Sequence, residues 1–302
     1  MRRDVNPDPG TDSLDPGEVI RVVRAALDED FRYGPDVTSA AVLPPGAVAS
    51  ARIVARQDGV LAGLPVVAEV LRCAAPAVVM ETCAADGDVI TAGAAVAGLR
   101  GPLTELLGAE RTMLNFLTHM SGVATLTRAW VDAVAGTGAL IRDTRKTLPG
   151  LRVLEKYAVR RGGGVNHRLG LGDAALVKDN HVAFSAGTGA AYAAVRAAFP
   201  DVAIEVECDT VAQVADALAA GARAILLDNM PPAMLSEAVA LARGYPDVLL
   251  EASGGLTLAS AREVALTGVD YLAIGALTHS APALDLALDV TLDTEVAAQR
   301  QR

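Results

Sequence analysis

ALIRD (139–143), AALVKD (174–179), VAIEVEC (202–208), RAILLD (223–228), DVLLEAS (247–253) and YLAIG (271–275) are six short apolar runs that recur along the second half of the chain. Between them lie LRVLEKYAVRR (151–161), GAAYAAVRAAF (189–199), VAQVADALAA (211–220), PAMLSEAVALAR (232–243) and LASAREVAL (258–266), read as helices. Strand and helix alternate, which demands parallel pairing with the helices outside. A complete (β/α)₈ barrel takes about 250 residues, and six units in about 140 residues predict an incomplete α/β barrel.

Upstream the pattern changes. GEVIRVVRAALDE (17–29) predicts an amphipathic helix, ASARIVARQ (49–57) a half-buried strand, LPVVAEVLRC (64–73) a helix, and VVMETCAADGDVI (78–90) a strand, a D-G turn and a strand. Residues 102–134 predict one or two helices, with Gly122 as the break. The expected organisation is a flexible tail over 1–15, an N-terminal α/β domain over 16–121 with 281–302 packing back on it, and the barrel over 122–280. The tail has no apolar core of a signal peptide, and the longest uncharged stretch, Thr112–Thr127, is broken by Asn115, His119 and hydroxyl residues. A soluble, cytoplasmic protein without a membrane partner is expected.

The net charge of −10 has the wrong sign for a nucleic-acid binder, and 3% aromatic residues offer few stacking platforms. Three scattered cysteines and four histidines show no zinc spacing. The average conceals an asymmetry, because Arg142–Lys178 holds nine basic and three acidic residues and all three lysines, Lys146, Lys156 and Lys178, of a chain with 23 arginines. An ammonium is a compact charge that a guanidinium does not replace. Arg152, Lys156, Arg160 and Arg161 recur at helical spacing and read as a solvated helix face. Arg145, Lys146, Arg168 and Lys178 need another explanation.

That explanation lies at the strand exits, where barrels of this kind build their active sites. The exits carry Asp143-Thr144-Arg145-Lys146, Lys178-Asp179-Asn180-His181, Glu205 and Glu207, Asp228-Asn229, Glu251-Ala252-Ser253-Gly254-Gly255, and Gly275-Ala276. One polar exit is usually a helix cap; five charged exits in succession predict a polar mouth. Glu205 and Glu207 share the inward face of their strand. Basic groups on the first two units suit an anionic substrate, and the carboxylates of Glu207 and Asp228 suit Mg²⁺. Ser253-Gly254-Gly255 and Gly275 resemble the phosphate cradle of barrel loops, so a phosphorylated substrate is expected. Gly170-Leu171-Gly172-Asp173-Ala174-Ala175 matches a dinucleotide fingerprint only formally, since GGGVNHRL rather than an apolar strand precedes it. Lys178 could also serve as a Schiff-base lysine.

Asp143-Thr144-Arg145-Lys146-Thr147, Pro149-Gly150, Gly162-Gly163-Gly164, Asn166-His167-Arg168 and Lys178-Asp179-Asn180-His181 together resemble the signature run of the quinolinate phosphoribosyltransferases, the carboxylating nicotinate-nucleotide pyrophosphorylases. Glu110-Arg111-Thr112, Glu205-Val206-Glu207-Cys208, Leu227-Asp228-Asn229, Glu251 to Gly255 and Ile274 to Ser280 are similar to the same family, in order, over nearly the whole chain after the tail. The resemblance implies an N-terminal α/β sandwich domain, an incomplete barrel and a homodimer, or a higher oligomer, with sites completed across the interface. It implies that quinolinate and phosphoribosyl pyrophosphate (PRPP) give nicotinate mononucleotide, pyrophosphate and CO₂ with Mg²⁺ in de novo NAD synthesis, a pentosyltransferase reaction. Arg145, His167, Arg168 and Lys178, with Arg111 from the partner subunit, would bind the two carboxylates beside Thr144. Lys146 would face the pyrophosphate, and Glu207 and Asp228 the ribose hydroxyls and Mg²⁺. Ser253, Gly254, Gly255, Gly275 and Ala276 would cradle the 5′-phosphate. Lys146, Lys178, Glu207 and Asp228 would carry the chemistry, with Lys178 orienting the carboxylate that leaves. The rival readings are a molybdenum-transport-associated or nicotinate-specific relative, a Schiff-base aldolase, and a phosphate-ligand sensor.

Overall fold

A computed structural model describes residues 13–292; most of the expected tail and the last ten residues of the expected return segment lie outside the described residues. The described chain divides into two compact bodies, one of residues 13–126, 148–162 and 281–292 and one of 127–147 and 163–280. No helix among the described residues is long and apolar enough to cross a membrane.

The first body opens with α1 (Pro16–Asp30), capped by the Asp15 carboxylate, which accepts the Gly17 and Glu18 amides; Val19, Val22 and Val23 form its buried stripe. Next come α2 (Val37–Val42), β1 (Val48–Ala55), β2 (Gly59–Val60), α3 (Leu64–Ala74), β3 (Val79–Thr82), β4 (Val89–Ile90), β5 (Ala95–Pro102) and α4 (Leu103–Ala133), whose residues 127–133 belong to the second body. A helix from later in the chain, α5 (Arg152–Arg161), and the last strand, β12 (Leu286–Leu292), complete the body. Its antiparallel sheet has the order β12-β1-β5-β3, with β2 and β4 pairing separately.

Three local expectations need correction. The D-G turn joins no hairpin, because β3 pairs β5 while β4 pairs β2. Asp86 instead accepts the Gly63 and Leu64 amides at the start of α3 and the Tyr157 hydroxyl at 2.7 Å. Gly122 breaks nothing, since α4 runs through it; a Cβ there would stand 2.1 Å from the Pro282 carbonyl oxygen, so the glycine serves close packing. The basic helix α5 presents no wholly solvated face. Glu155 and Lys156 are fully buried, and Glu155 lies 2.9 Å from His119 Nε2 while accepting the Leu148 amide at 3.1 Å. Charges at i, i+4 spacing identify a helix, but buried pairing satisfies them as well as water does.

The second body is the barrel. Its strands β6 (Leu140–Arg142), β7 (Ala174–Val177), β8 (Ala203–Cys208), β9 (Ala224–Asp228), β10 (Leu249–Ser253) and β11 (Tyr271–Ala273) form one sheet, all parallel, in the order β6-β11-β10-β9-β8-β7. The helices are α6 (Asp179–Val182), α7 (Thr188–Ala198), α8 (Val211–Ala219), α9 (Pro232–Ala242), α10 (Ala261–Leu266) and α11 (Ala276–His279). AILL of β9 is buried throughout, as a strand covered on both faces requires. The six-stranded incomplete barrel and the smaller sheet domain are as the sequence predicts.

Candidate active site

At the exit of β6 the chain is tied down before it reaches the mouth. Asp143 is fully buried and accepts the Asn166 side-chain amide at 2.5 Å and the His167 backbone amide at 2.8 Å. Val165 forms a parallel bridge with Arg142, so residues 165–168 run beside β6. Two residues on, Thr144 Oγ1 accepts the Lys146 amide at 2.9 Å and the Lys146 carbonyl accepts the Thr278 hydroxyl at 2.8 Å, joining this loop to α11. The Lys146 stem then passes over Gly275, where a Cβ would lie 2.9 Å from Lys146 Cδ and 3.2 Å from His279 Nε2. Gly275 is therefore required for space, and it brings Lys146 and His279 together.

Beneath the mouth lies a buried ionic group. Arg142 Nη1 is 2.6 Å from Glu251 Oε2 and its guanidinium stacks 4.3 Å from the Tyr271 ring centre. His167 Nε2 is 2.8 Å from Glu205 Oε2 and 3.6 Å from Glu251 Oε1, an oxygen that accepts no hydrogen bond. A cavity of about 20 Å³ lies against these groups. Burial, and then the Glu205 charge, push Glu251 above the usual carboxylate range against the pull of Arg142 and His167. Burial acts the same way on Glu205, but its hydrogen bond to His167 and the charges of His167 and Arg142 hold it below. Burial opposes a charge on His167, yet the Glu205 hydrogen bond and the Glu251 charge raise its pKa. His167 Nδ1 accepts the Arg168 amide at 2.7 Å, which opposes a second ring proton. The three ligand atoms of His167, Glu205 and Glu251 lie close enough for a metal, but Arg142 already neutralises Glu251 and the Nε2–H of His167 serves Glu205.

The sequence reading places His167 on a substrate carboxylate. In the structure the residue is buried, its Nδ1 accepts the Arg168 amide and its Nε2 lies 2.8 Å from Glu205 Oε2. Its neighbour Arg168 donates to the Ala174 carbonyl at 2.8 Å, and burial and then the nearby Arg145 lower its pKa.

On the far side, Lys178 Nζ donates to Glu207 Oε2 at 2.7 Å, and the Lys178 amide donates to His181 Nδ1. Glu205 and Glu207 both point into the barrel, Glu205 to the buried group and Glu207 to the mouth. Asp228 and Ser253 stand opposite each other in the β9–β10 register, followed by Gly254 and Gly255 with φ of 89° and 60°. Because of the strand order, the exits circle the mouth as Lys146, Gly275, Ser253 to Gly255, Asp228, Glu207 and Lys178. Arg111 belongs to the other body, exposed on α4. Sequence reasoning listed Arg142, Glu205 and Glu251 without recognising their pairing. The available signal was their place inside apolar strands, where a charge needs a partner.

A family model described as Quinolinate phosphoribosyl transferase, C-terminal domain, matches residues 123–289, and one described as the N-terminal domain matches 36–121. The chain is 52% identical over 275 residues to the nicotinate-nucleotide pyrophosphorylase [carboxylating] of Mycobacterium leprae, covering 89% of this chain and 95% of the relative. The solved nicotinate-nucleotide pyrophosphorylase of Francisella tularensis superposes with a TM-score of 0.89 at 35% identity, over 93% of this chain and 98% of that one. Human nicotinic acid phosphoribosyltransferase, at 13% identity and a TM-score of 0.61 over 92% of this chain and 74% of that one, shares the fold alone. Both domain matches, the identity over nearly full length and the ordered motifs agree that this chain belongs to the quinolinate phosphoribosyltransferase family.

Proposed function

We propose that the chain transfers the phosphoribosyl group of PRPP to the ring nitrogen of quinolinate with loss of CO₂, giving nicotinate mononucleotide and pyrophosphate in de novo NAD synthesis. The observation that carries this reading is the ring of exits, in which Lys146, Gly275, Ser253 to Gly255, Asp228, Glu207 and Lys178 circle one mouth, with Lys178 2.7 Å from Glu207. The forked cations of Arg145 and Arg168 suit a rigid dicarboxylate. The names of the relatives, pyrophosphorylase [carboxylating] and phosphoribosyltransferase [decarboxylating], point to the same reaction.

In this reading Arg145, Arg168, Lys178 and His167, which also accepts the Arg168 amide, bind the two carboxylates beside Thr144. Lys146 faces the pyrophosphate, with His279 beside it. Ser253, Gly254, Gly255, Gly275 and Ala276 line the 5′-phosphate site, and Glu207 and Asp228 take the ribose hydroxyls. The ring nitrogen attacks C1 of the ribose as the C1–O bond breaks, and the electron pair departs with pyrophosphate, whose charge Lys146 stabilises. The product ring is a pyridinium. It accepts the electron pair freed when the adjacent carboxylate leaves as CO₂, and a proton then replaces that group. Glu207 gives one oxygen to Lys178 and Asp228 one to Asn229, so each keeps an oxygen for Mg²⁺ or its water shell. Bound there, Mg²⁺ would offset the charge of the phosphates.

The test is CO₂ and nicotinate mononucleotide formation from quinolinate and PRPP, with and without Mg²⁺. Equal yields of the two products are expected; turnover of nicotinate but not quinolinate would overturn the reading in favour of a nicotinate-specific relative. Lys178 as a Schiff-base nucleophile fits less well, since its ammonium is engaged by Glu207. We further infer a cytoplasmic homodimer, with the partner subunit's Arg111 completing the carboxylate site. An apolar groove of about 520 Å³ beside β7 and α7, lined by Leu171 and Phe199 among others, supports a second copy as its cover.

A further inference from the structure

Among the described residues the Asp228 carboxylate receives one hydrogen bond, from the side chain of the next residue: Asn229 Nδ2 donates to Asp228 Oδ2 at 2.6 Å. A side chain folds back on its predecessor in this way when the backbone between them turns sharply, and Asn229 sits in the left-handed region at φ 53°. It is one of two non-glycine residues described there, and asparagine is among the few that tolerate the conformation. The Asn229 backbone amide donates to the Ser253 carbonyl at 2.9 Å, fixing the turn to the exit of β10. The other side of the amide group is closed by Gly254, where a Cβ would fall 2.3 Å from Asn229 Oδ1 and 2.5 Å from its Cγ. Gly254 is therefore the floor on which the Asn229 side chain lies.

We propose that Asn229 is a positioning residue for Asp228 in the PRPP subsite. Its amide holds one carboxylate oxygen and leaves the other, in a fixed direction, for the ribose diol and for Mg²⁺. Asn229 touches neither substrate; it acts through Asp228. This rests on the PRPP-binding role of Asp228 proposed above. An unrestrained carboxylate would lose rotational freedom on binding, whereas one already oriented loses less.

The test is calorimetric titration of PRPP with Mg²⁺ in the presence of phthalate, which carries both carboxylates of quinolinate but no ring nitrogen to react. Asn229→Gly adopts the positive φ without strain and removes only the amide. It should keep the thermal midpoint and the affinity for phthalate while weakening PRPP about tenfold, with the PRPP KM raised by a similar factor and kcat at saturation nearly retained. Asn229→Asp retains the turn and sets a carboxylate against Asp228, so PRPP should bind more weakly than to Asn229→Gly at low Mg²⁺ and recover as Mg²⁺ rises. Wild-type PRPP affinity in Asn229→Gly, alongside a large loss in Asp228→Ala, would overturn the positioning role alone. Wild-type affinity in Asp228→Ala would overturn the subsite itself.

Discussion

Gly275 shows how little of the site's geometry resides in charge. Its φ is ordinary, yet a methyl group there meets the Lys146 stem and the His279 ring, both flexible ends that can swing away. Gly275→Ala should therefore leave the thermal midpoint unchanged while lowering kcat/KM for PRPP about tenfold or more, as misplacement of a charged group by an ångström can do. Lys178→Ala tests the carboxylate assignment: turnover should collapse, and near-normal CO₂ release would remove Lys178 from that step. A third expectation concerns protons. Glu251 holds a raised pKa when folded, so the folded chain keeps a proton that the unfolded chain releases above the ordinary carboxylate value of 4.5. Stability to urea should then fall as pH rises from that value through the folded pKa, and Glu251→Gln should flatten the fall. An unchanged slope would place the proton elsewhere. At this scale the sequence reveals the lysines and the Glu207 and Asp228 carboxylates, because exits of barrel strands are where charges gather. It leaves hidden the partner of His167 Nε2, which is Glu205, 38 positions away.

Among the elements, α4 makes the clearest forecast. Glycine inside a helix usually costs about 1 kcal/mol relative to alanine, so Gly122→Ala should stabilise the chain if propensity decides. The Pro282 carbonyl, a backbone atom, stands where the methyl would go. Overpacking of this kind costs about 1–3 kcal/mol, and a lowered denaturation midpoint is expected; a raised one would mean that α4 and residues 282–283 part easily. The six barrel strands and most helices are legible because burial on both faces writes continuous apolar runs. The strands β5 and β12 escape the reading. AVAGLRGP (95–102) carries two glycines and weak alternation, and Leu286–Leu292 becomes a strand only by pairing with β1, far away in sequence. The helix α5 is legible as a helix but not in its burial, since spacing does not report what lies opposite Glu155.

For the whole molecule, the net charge of −10 divides between a negative scaffold and the Arg142–Lys178 segment, within which Lys156 is buried in α5. Quinolinate and PRPP are polyanions, so raising ionic strength should increase both KM values more than it lowers kcat. A mixing experiment addresses the assembly. Arg111→Ala and Lys146→Ala should each be inactive as homodimers, yet subunit exchange should restore about a quarter of the wild-type sites, because half the dimers are mixed and each has one intact site. Failure to restore activity would leave Arg111 acting within its own chain. The strand order adds a consequence for biosynthesis. The first barrel strand, β6, pairs with the last, β11, which brings Tyr271 opposite Leu140. The seat that Gly275 provides for Lys146 thus joins the two ends of the barrel segment, so a nascent chain still inside the ribosome at β10 carries most of the charged side chains of the mouth but lacks the seat of Lys146. The mouth stays unfinished until the final barrel strand is threaded between two neighbours made at very different times.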